Sequence, residues 1–424
     1  MTSYIQRVID SELDELMTDL AAVALEGPKG VGKTESAMRR AKTIYAMDDS
    51  AQRAIASADV GQILKGAKPV LIDEWQRQPE TWDAVRRAVD RDHQPNQFLL
   101  TGSASPENPP THSGAGRIVS VRMRPLILAE RGLLVPSVSL RGLLQGRIDS
   151  IEGETSLVLA DYVREMVVSG FPGIRHLNGR ALRAQLDGYL SRIVDRDFKD
   201  QGLSLRNPQG LIRWMTAYAA ATSTTASFET IRDAATGGEG QKPAKTTVQP
   251  YREILEQLWV LDPIPAWLPS KNHITRLTHP PKHHLADPAL AIRLLGLDEN
   301  ALIMGTESGP AIPRKGTLLG HLFESLVTQS VRVLAQAAEA DVKHLRLKGG
   351  LREVDLIVER PDQRVVAMEV KLSATVDDDD VKNLLWLREQ IGDDLLDAVV
   401  INTGQRAYRR KDGVAVVPVG LLGP

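Results

Sequence analysis

The chain has 424 residues, with 52 Lys and Arg against 54 Asp and Glu, which gives a net charge of −2. This length suggests about three domains of roughly 150 residues each, and the balanced charge neither demands nor forbids a nucleic-acid partner. The absence of Cys excludes disulfides, thiolate metal sites and cysteine nucleophiles. No apolar run approaches the roughly 18 residues of a membrane span, and the first residues lack the pattern of a signal peptide. We therefore expect a cytoplasmic protein with no membrane partner.

Within a first domain predicted over residues 1–145, the stretch from Ala21 to about Val121 alternates between short apolar runs and polar helical segments. That rhythm is typical of an α/β domain with a mainly parallel sheet. We predict strands over 22–25, 69–72 and 98–100, each followed by small or acidic residues. Ligands bind at the carboxyl ends of such strands.

The segment from Gly27 to Thr34 fits the pattern G-x-x-x-x-G-K-[ST] between a predicted strand and a predicted helix. In this pattern the loop's backbone N–H groups surround phosphate, while Lys33 neutralises the β and γ oxygens and Thr34 reaches Mg²⁺. The pattern predicts an ATP site with Lys33 as a catalytic residue, and a glycine turn with an exposed lysine is the other interpretation. The predicted nucleotide-binding residues here are Gly27, Pro28, Lys29, Gly30, Val31, Gly32, Lys33, Thr34 and Glu35.

Polar residues also end the next two predicted strands. Asp73 suits the Mg²⁺ shell and Glu74 suits polarisation of the attacking water, although the pair could simply cap a helix. Thr101 and Ser103 suit orienting water or sensing the γ-phosphate, or they form a plain turn. Arg117 follows a glycine loop and is either a phosphate contact or a surface arginine.

Residues 146–304 change to longer helical patterns, which predict a helical middle region. We predict a long helix over 182–198, and farther along the chain a short helix that the Gly-rich break Gly237–Gly240 separates from a second helix over 247–261. Two helices followed by an apolar segment are consistent with a winged helix-turn-helix, although the break is longer than its usual turn.

Residues 305–424 predict a final α/β module after the stretch Gly305–Gly316. An apolar stripe predicts a helix that begins near Leu318, and two later runs predict strands over 354–358 and 365–370 joined by a hairpin turn.

Acidic and basic residues interrupt those apolar strands. Period two places Glu369 and Lys371 on one strand face, where a hairpin would bring Asp355 opposite them. Two carboxylates can hold a divalent metal while the lysine activates water for phosphodiester attack, and Glu324 on the preceding helix is a further ligand candidate. These residues predict either a second catalytic and metal site or a structural salt bridge in a module that has lost its chemistry.

Five motifs together resemble those of bacterial AAA-type ATPases that carry a domain of uncharacterised function behind the P-loop module. The motifs are Gly27–Thr34, Asp73–Glu74, Thr101–Ser103, Gly116–Arg117 and Arg124–Leu126. The resemblance implies a P-loop AAA-type domain, then a helical and winged-helix-like region, then a PD-(D/E)XK nuclease-like fold at the end of the chain.

The segment Lys282–Leu290 resembles the part of that family that precedes its last domain. His283, His284 and Asp287 invite a metal interpretation. Because no third ligand occurs at a recognisable spacing, we expect them to have packing or surface roles.

Two functions fit these observations. In the leading one, an Mg²⁺-dependent ATPase controls a nuclease-like module that acts on or binds DNA or RNA; in the other, the chain is a nucleotide switch or scaffold with a catalytically inactive nuclease-like domain. Protein partners and oligomers fit both, because AAA-like modules often complete their site with a neighbour's arginine, and Arg117 or Arg124 could act in that way, within the chain, or not at all.

Overall fold

The computed structural model describes residues 4–103, 113–146, 148, 150–236, 245–269, 279–304 and 317–424. The predicted Gly237–Gly240 break and the stretch Gly305–Gly316 lie outside these ranges. Within them, no helix combines the length and apolar character needed to cross a membrane.

The N-terminal part is a five-stranded parallel sheet in the order β2-β3-β4-β1-β5. The predicted strands are confirmed as β1, β3 and β4, whereas β2 and β5 have partly exposed residues and lack the uninterrupted apolar runs that revealed the others. The strands are β1 (Ala22–Glu26), β2 (Thr43–Ala46), β3 (Val70–Asp73), β4 (Phe98–Gly102) and β5 (Val119–Arg122), with helices α1 (Val8–Asp19), α2 (Lys33–Met38), α3 (Ser50–Ala58) and α4 (Glu80–Arg91).

The middle part is mainly helical. Its helices are α5 (Leu140–Leu144), α6 (Leu159–Val167), α7 (Gly179–Arg192), α8 (Phe198–Asp200), α9 (Pro208–Ala220), α10 (Phe228–Ala234), α11 (Lys245–Gln257), α12 (Pro288–Leu294) and α13 (Glu299–Met304). The short strands β6 (Val138–Ser139), β7 (Gly153–Glu154) and β8 (Ala266–Trp267) accompany them.

Both predicted middle helices differ from the expected ranges. The helix expected over 182–198 is α7 continued by a π-helical turn at Ile193–Asp197 into α8. The helix expected over 247–261 ends at Gln257, because Trp259 adopts a left-handed backbone with φ 61°. The chain after it pairs instead with a later segment, through the antiparallel bridges Leu261–Leu285 and Ile264–Lys282.

The C-terminal part begins with α14 (Thr317–Ala337), followed by the antiparallel strands β9 (Asp341–Arg346), β10 (Glu353–Glu359) and β11 (Val365–Val370). Helix α15 (Asp378–Ile391) then connects β11 to the parallel strand β12 (Leu395–Asn402). The helix predicted near Leu318 and both predicted strands are confirmed as α14, β10 and β11. Asp377 caps α15 by accepting hydrogen bonds from the Asp379 and Asp380 amides.

The C-terminal sheet extends beyond these strands. Strands β13 (Arg406–Arg409) and β14 (Ala415–Pro418) complete an eight-stranded order of β7-β13-β14-β12-β11-β10-β9-β8. Strands β7 and β8 come from the middle part, and β15 (Leu422–Gly423) pairs with β6. The middle and C-terminal parts of the chain are therefore joined by shared strands as well as by packing.

A buried carboxylate, Asp262, lies where the three parts meet. Its oxygens are 2.8 Å from Arg122 Nη1, 2.8 Å from Arg124 Nε and 2.7 Å from Arg332 Nη1. Although burial acts to raise the pKa of Asp262, the three guanidinium groups hold it well below its usual range. Arg122 ends β5 and Arg124 follows it, Asp262 follows α11, and Arg332 lies on α14, so this single cluster links all three parts.

We expect Asp262→Ala to destabilise the protein by about 3–5 kcal/mol, the usual cost of removing one partner of a buried ion pair. Three arginines would be left without their shared counter-ion. Urea unfolding followed by tryptophan fluorescence measures the change. Asp200→Ala is the control, because the Arg196–Asp200 pair is 67% and 48% exposed, and exposed pairs contribute about 0–1 kcal/mol. Equal, small shifts for the two variants would contradict the structural role of Asp262.

Candidate functional site

The loop between β1 and α2 has a backbone that only glycine accommodates at its first position. Gly27 has φ 148°, and a Cβ there would lie 2.2 Å from the carbonyl oxygen of Met123. Gly30 and Gly32 also have positive φ values, of 81° and 101°. The loop therefore curls over the end of β1 and leads into the N-terminus of α2, the arrangement that surrounds phosphate in P-loop proteins.

Lys33 lies inside this loop and is only 5% exposed. Its ammonium donates hydrogen bonds to the carbonyl oxygens of Gly27 at 2.8 Å and Pro28 at 2.9 Å. Burial lowers the pKa of Lys33 to about 8, although Glu74 and Asp73 act in the opposite direction. The lysine is thus held beside the loop by carbonyl groups that phosphate oxygens can replace.

The carboxylate of Asp73 connects the P-loop to the neighbouring strand. Its Oδ1 accepts hydrogen bonds from Thr34 Oγ1 at 2.8 Å and from Thr101 Oγ1. A hydroxyl and a carboxylate that converge in this way are the oxygen donors that Mg²⁺ takes in nucleotide sites, usually together with phosphates and water. Thr34 and Asp73 therefore fit the predicted Mg²⁺ position.

Glu74 follows β3 in a left-handed conformation with φ 53°. Its carboxylate accepts a hydrogen bond from Gln76 Nε2 at 2.7 Å, and Ser103 Oγ lies 3.3 Å from the same Oε2. The two side chains orient Glu74 at the edge where Asp73 and Lys33 lie. Sequence patterns missed Gln76, because a glutamine three residues beyond the end of β3 belongs to no known motif.

Three other predicted nucleotide-binding side chains point elsewhere. Arg117 Nε binds Asp90 at 2.7 Å, so its predicted phosphate contact would require that pair to break. Glu35 is exposed on the first turn of α2. Lys29 Nζ binds Asp197 in the π-helical turn at 2.5 Å.

The middle part contacts the P-loop at further points. Tyr189 on α7 donates a hydrogen bond to the carbonyl oxygen of Lys29 at 3.3 Å. Arg7 reaches the loop from the other direction, donating to the carbonyl oxygens of Val31 at 2.8 Å and Arg124 at 2.7 Å. The loop is thus tied to α7 and to the segment that carries the arginines around Asp262.

The residues predicted for the C-terminal site also converge. Asp355 Oδ2 accepts a hydrogen bond from the Val370 amide at 2.9 Å. This contact holds the Asp355 carboxylate on β10 close to Glu369, the residue before Val370 on β11. Lys371 Nζ lies 3.7 Å from Glu369 Oε2. Burial and the nearby Asp355 carboxylate raise the pKa of Glu369 well above its usual range. The carboxyl groups of Glu369 and Asp355 also share a side-chain hydrogen bond, so the two acids form a pair.

A lysine that the motif did not include, Lys282, joins this cluster from the middle part. It is 1% exposed, and its Nζ lies 2.8 Å from Glu324 Oε1, 3.2 Å from Asp355 Oδ1 and 3.6 Å from Glu353 Oε1. Although burial opposes it, the carboxylates raise the pKa of Lys282. The sequence carried no signal for this role beyond an unusual lysine before two histidines.

The predicted C-terminal metal site does not fit this arrangement. Glu324 and Asp355 would be its ligands, yet both already hold the Lys282 ammonium. Over the described ranges, no group of three or more metal-ligating side chains is arranged to hold a metal ion.

The residues beside Lys282 have packing roles, as expected. His283 packs against the rings of Tyr218 and Phe228, each with centroids 5.0 Å away. His284 is 2% exposed. Asp287 caps α12 by accepting from the Ala289 amide and also accepts from the Gly170 amide.

Comparisons with known proteins find matches to three stretches of the chain. A family model described as an AAA domain matches residues 20–131, a domain of unknown function (DUF8612) matches 159–301, and a domain of unknown function (DUF4143) matches 319–422. The uncharacterised proteins Rv2008c of Mycobacterium tuberculosis and Mb2031c of Mycobacterium bovis are each 26% identical over 359 residues, which cover 83% of this chain and 70% of theirs. The chain therefore carries an AAA domain of the P-loop ATPase type at its N-terminal end and a DUF4143 domain at its C-terminal end.

Proposed function

We propose that the protein binds ATP with Mg²⁺ and hydrolyses it at the P-loop. The observation that carries this proposal is the contact between the Thr34 hydroxyl and the Asp73 carboxylate at 2.8 Å, beside the buried Lys33. A lysine, a hydroxyl and a carboxylate converge on one phosphate-sized loop, and that combination has little structural purpose without a nucleotide.

The chemistry assigned to each residue follows from its position. On binding, Lys33 exchanges the carbonyl oxygens of Gly27 and Pro28 for phosphate oxygens. Glu74, oriented by Gln76 and Ser103, accepts a proton from the attacking water. The water oxygen bonds to the γ-phosphorus, the bond to the β–γ bridging oxygen breaks, and ADP and phosphate leave. Mg²⁺, held by Thr34 and Asp73, would neutralise charge on the β and γ oxygens.

Nucleotide binding is proposed to act on the middle part through Lys29. This residue belongs to the phosphate-binding loop, and its ammonium pairs with Asp197. A phosphate group competes with Asp197 for the same positive charge, so binding would weaken the tie to the π-helical turn. Since π-helical turns occur frequently at functional sites, this turn is the element that we expect to change.

The C-terminal part favours the second of the two functions predicted from sequence. The order of α14, three antiparallel strands, α15 and a parallel strand supports a PD-(D/E)XK-like fold, and helices α9 to α11 followed by paired segments support a winged-helix-like region. The Lys282 ammonium on the predicted metal ligands argues against cleavage in this state. We therefore propose a nucleotide switch whose nuclease-like domain binds a partner, with nucleic acid or protein left to experiment.

We expect Glu74→Gln to reduce ATP hydrolysis by at least about 100-fold, because an amide cannot accept the proton from water. ATP affinity should change by less than about threefold, since Lys33 and Thr34 remain. Phosphate release and fluorescent-nucleotide titration measure the two effects. Glu80→Gln, an exposed acid on α4, is the control and should retain full activity. Turnover by Glu74→Gln within threefold of wild type would place the base elsewhere.

We expect Asp197→Asn to tighten ATP binding by up to about fivefold, because it frees Lys29 for phosphate. The expected gain in ATP affinity is modest, because the Lys29 side chain is 40% exposed and ion pairs with an exposed partner contribute about 0–1 kcal/mol. Nucleotide titration measures the change, with Asp195→Asn as the exposed neighbouring control. In a Lys29→Ala background Asp197→Asn should have no effect. Weaker binding, or an effect that persists without Lys29, would rule out the competition.

A further inference from the structure

The cation in the C-terminal cluster comes from a segment that is firmly held in the middle part. Lys282 exchanges two backbone hydrogen bonds with Ile264, both 2.9 Å. The next residue, His283, exchanges backbone hydrogen bonds with Ser223 and Thr224 at 2.8 and 2.9 Å. The segment therefore lies between two others as a strand would, and this fixes the depth at which the lysine enters the cluster.

The ammonium occupies the place where a divalent cation would bind. Divalent cations bind carboxylate oxygens at about 2.0–2.6 Å. The oxygens nearest Lys282 Nζ belong to Glu324 and Asp355, at 2.8 and 3.2 Å. A metal ion bound to both oxygens would lie almost in contact with the ammonium, and the repulsion between the two cations in a buried site would be large.

The carboxylate cluster is largely buried, but it is still accessible to ions from a cleft. A cleft of about 760 Å³ between the middle part and the C-terminal sheet is lined by Glu324, Glu353 and Asp355, together with His321 and several hydroxyl groups of residues 223–230. An ion can reach the carboxylates from this cleft.

We propose that Lys282 is a tethered counter-ion that stands in for a divalent metal, and that removing its ammonium frees the carboxylates of Glu324 and Asp355 to bind one. While the segment that carries Lys282 is docked, the C-terminal cluster excludes divalent ions. This proposal is independent of ATP hydrolysis, because none of its residues lies in the P-loop.

The test compares Mn²⁺ binding by the full chain with and without the ammonium. All proteins carry Thr34→Ala, which removes the P-loop hydroxyl ligand, and no nucleotide is present. We expect Lys282→Met to bind Mn²⁺, seen as loss of the free-ion electron paramagnetic resonance signal and as a rise in Tm of several degrees. The Lys282→Met/Glu324→Gln double variant should lose both effects. The protein with Lys282 intact and the exposed-lysine control Lys382→Met should show neither.

A second substitution covers the case in which Lys282→Met fails to fold. Lys282→Gln keeps a hydrogen-bond donor beside Glu324 while removing the charge, and it should also bind Mn²⁺. Failure of every folded charge-removing variant to bind Mn²⁺ would overturn the proposal. It would also be overturned if the protein with Lys282 intact binds Mn²⁺ and loses that binding in Glu324→Gln.

Discussion

The structure depends on the cost of burying charge without a counter-ion. Asp262 satisfies three arginines from two different parts of the chain, and each of these groups would be unstable in its place without the others. Lys282 and its carboxylates form a second such cluster. Both clusters form only if the middle part packs against its neighbours in one particular position. Ion pairs therefore restrict the relative positions of the three parts more than apolar contacts do.

The same clusters connect the two candidate sites through a chain of intermediate contacts. Arg7 connects the P-loop carbonyl of Val31 to the carbonyl of Arg124, whose side chain binds Asp262. Asp262 and Lys282 lie on two segments that pair with each other through the bridges Leu261–Leu285 and Ile264–Lys282. A change at the phosphate-binding loop therefore has a continuous path of hydrogen bonds and ion pairs to the carboxylate cluster. We propose this path as the physical basis of a switch.

Sequence alone predicted those features that depend on residues close together along the chain. The P-loop, the strand that ends in Asp73 and Glu74, and the convergence of Asp355, Glu369 and Lys371 follow from local patterns of strand, turn and period. Strands β2 and β5 were missed because their residues are partly exposed.

Side-chain partners that are distant in sequence could not be predicted in the same way. Asp197 and Lys282 acquire their roles only when distant segments meet: Lys29 and Asp197 are 168 residues apart, and Lys282 and Glu324 are 42 residues apart. The glycine loop before Arg117 predicted a phosphate contact, yet the Arg117 guanidinium forms an ion pair with Asp90 on α4. A motif indicates which chemistry is available, whereas the packing of the other elements decides which partner a charged side chain meets.

The claim that nucleotide state reaches beyond the AAA domain can be tested directly by amide hydrogen exchange. Glu74→Gln protein would be compared with and without ATP and Mg²⁺, so that hydrolysis does not blur the two states. We predict altered exchange in residues 27–34, in the α7 and π-helical segment at 189–200, and in the paired segments near Asp262 and Lys282. Changes confined to residues 20–131 would contradict the account, because nucleotide binding at the P-loop would then leave the structure and dynamics of the other two parts unchanged.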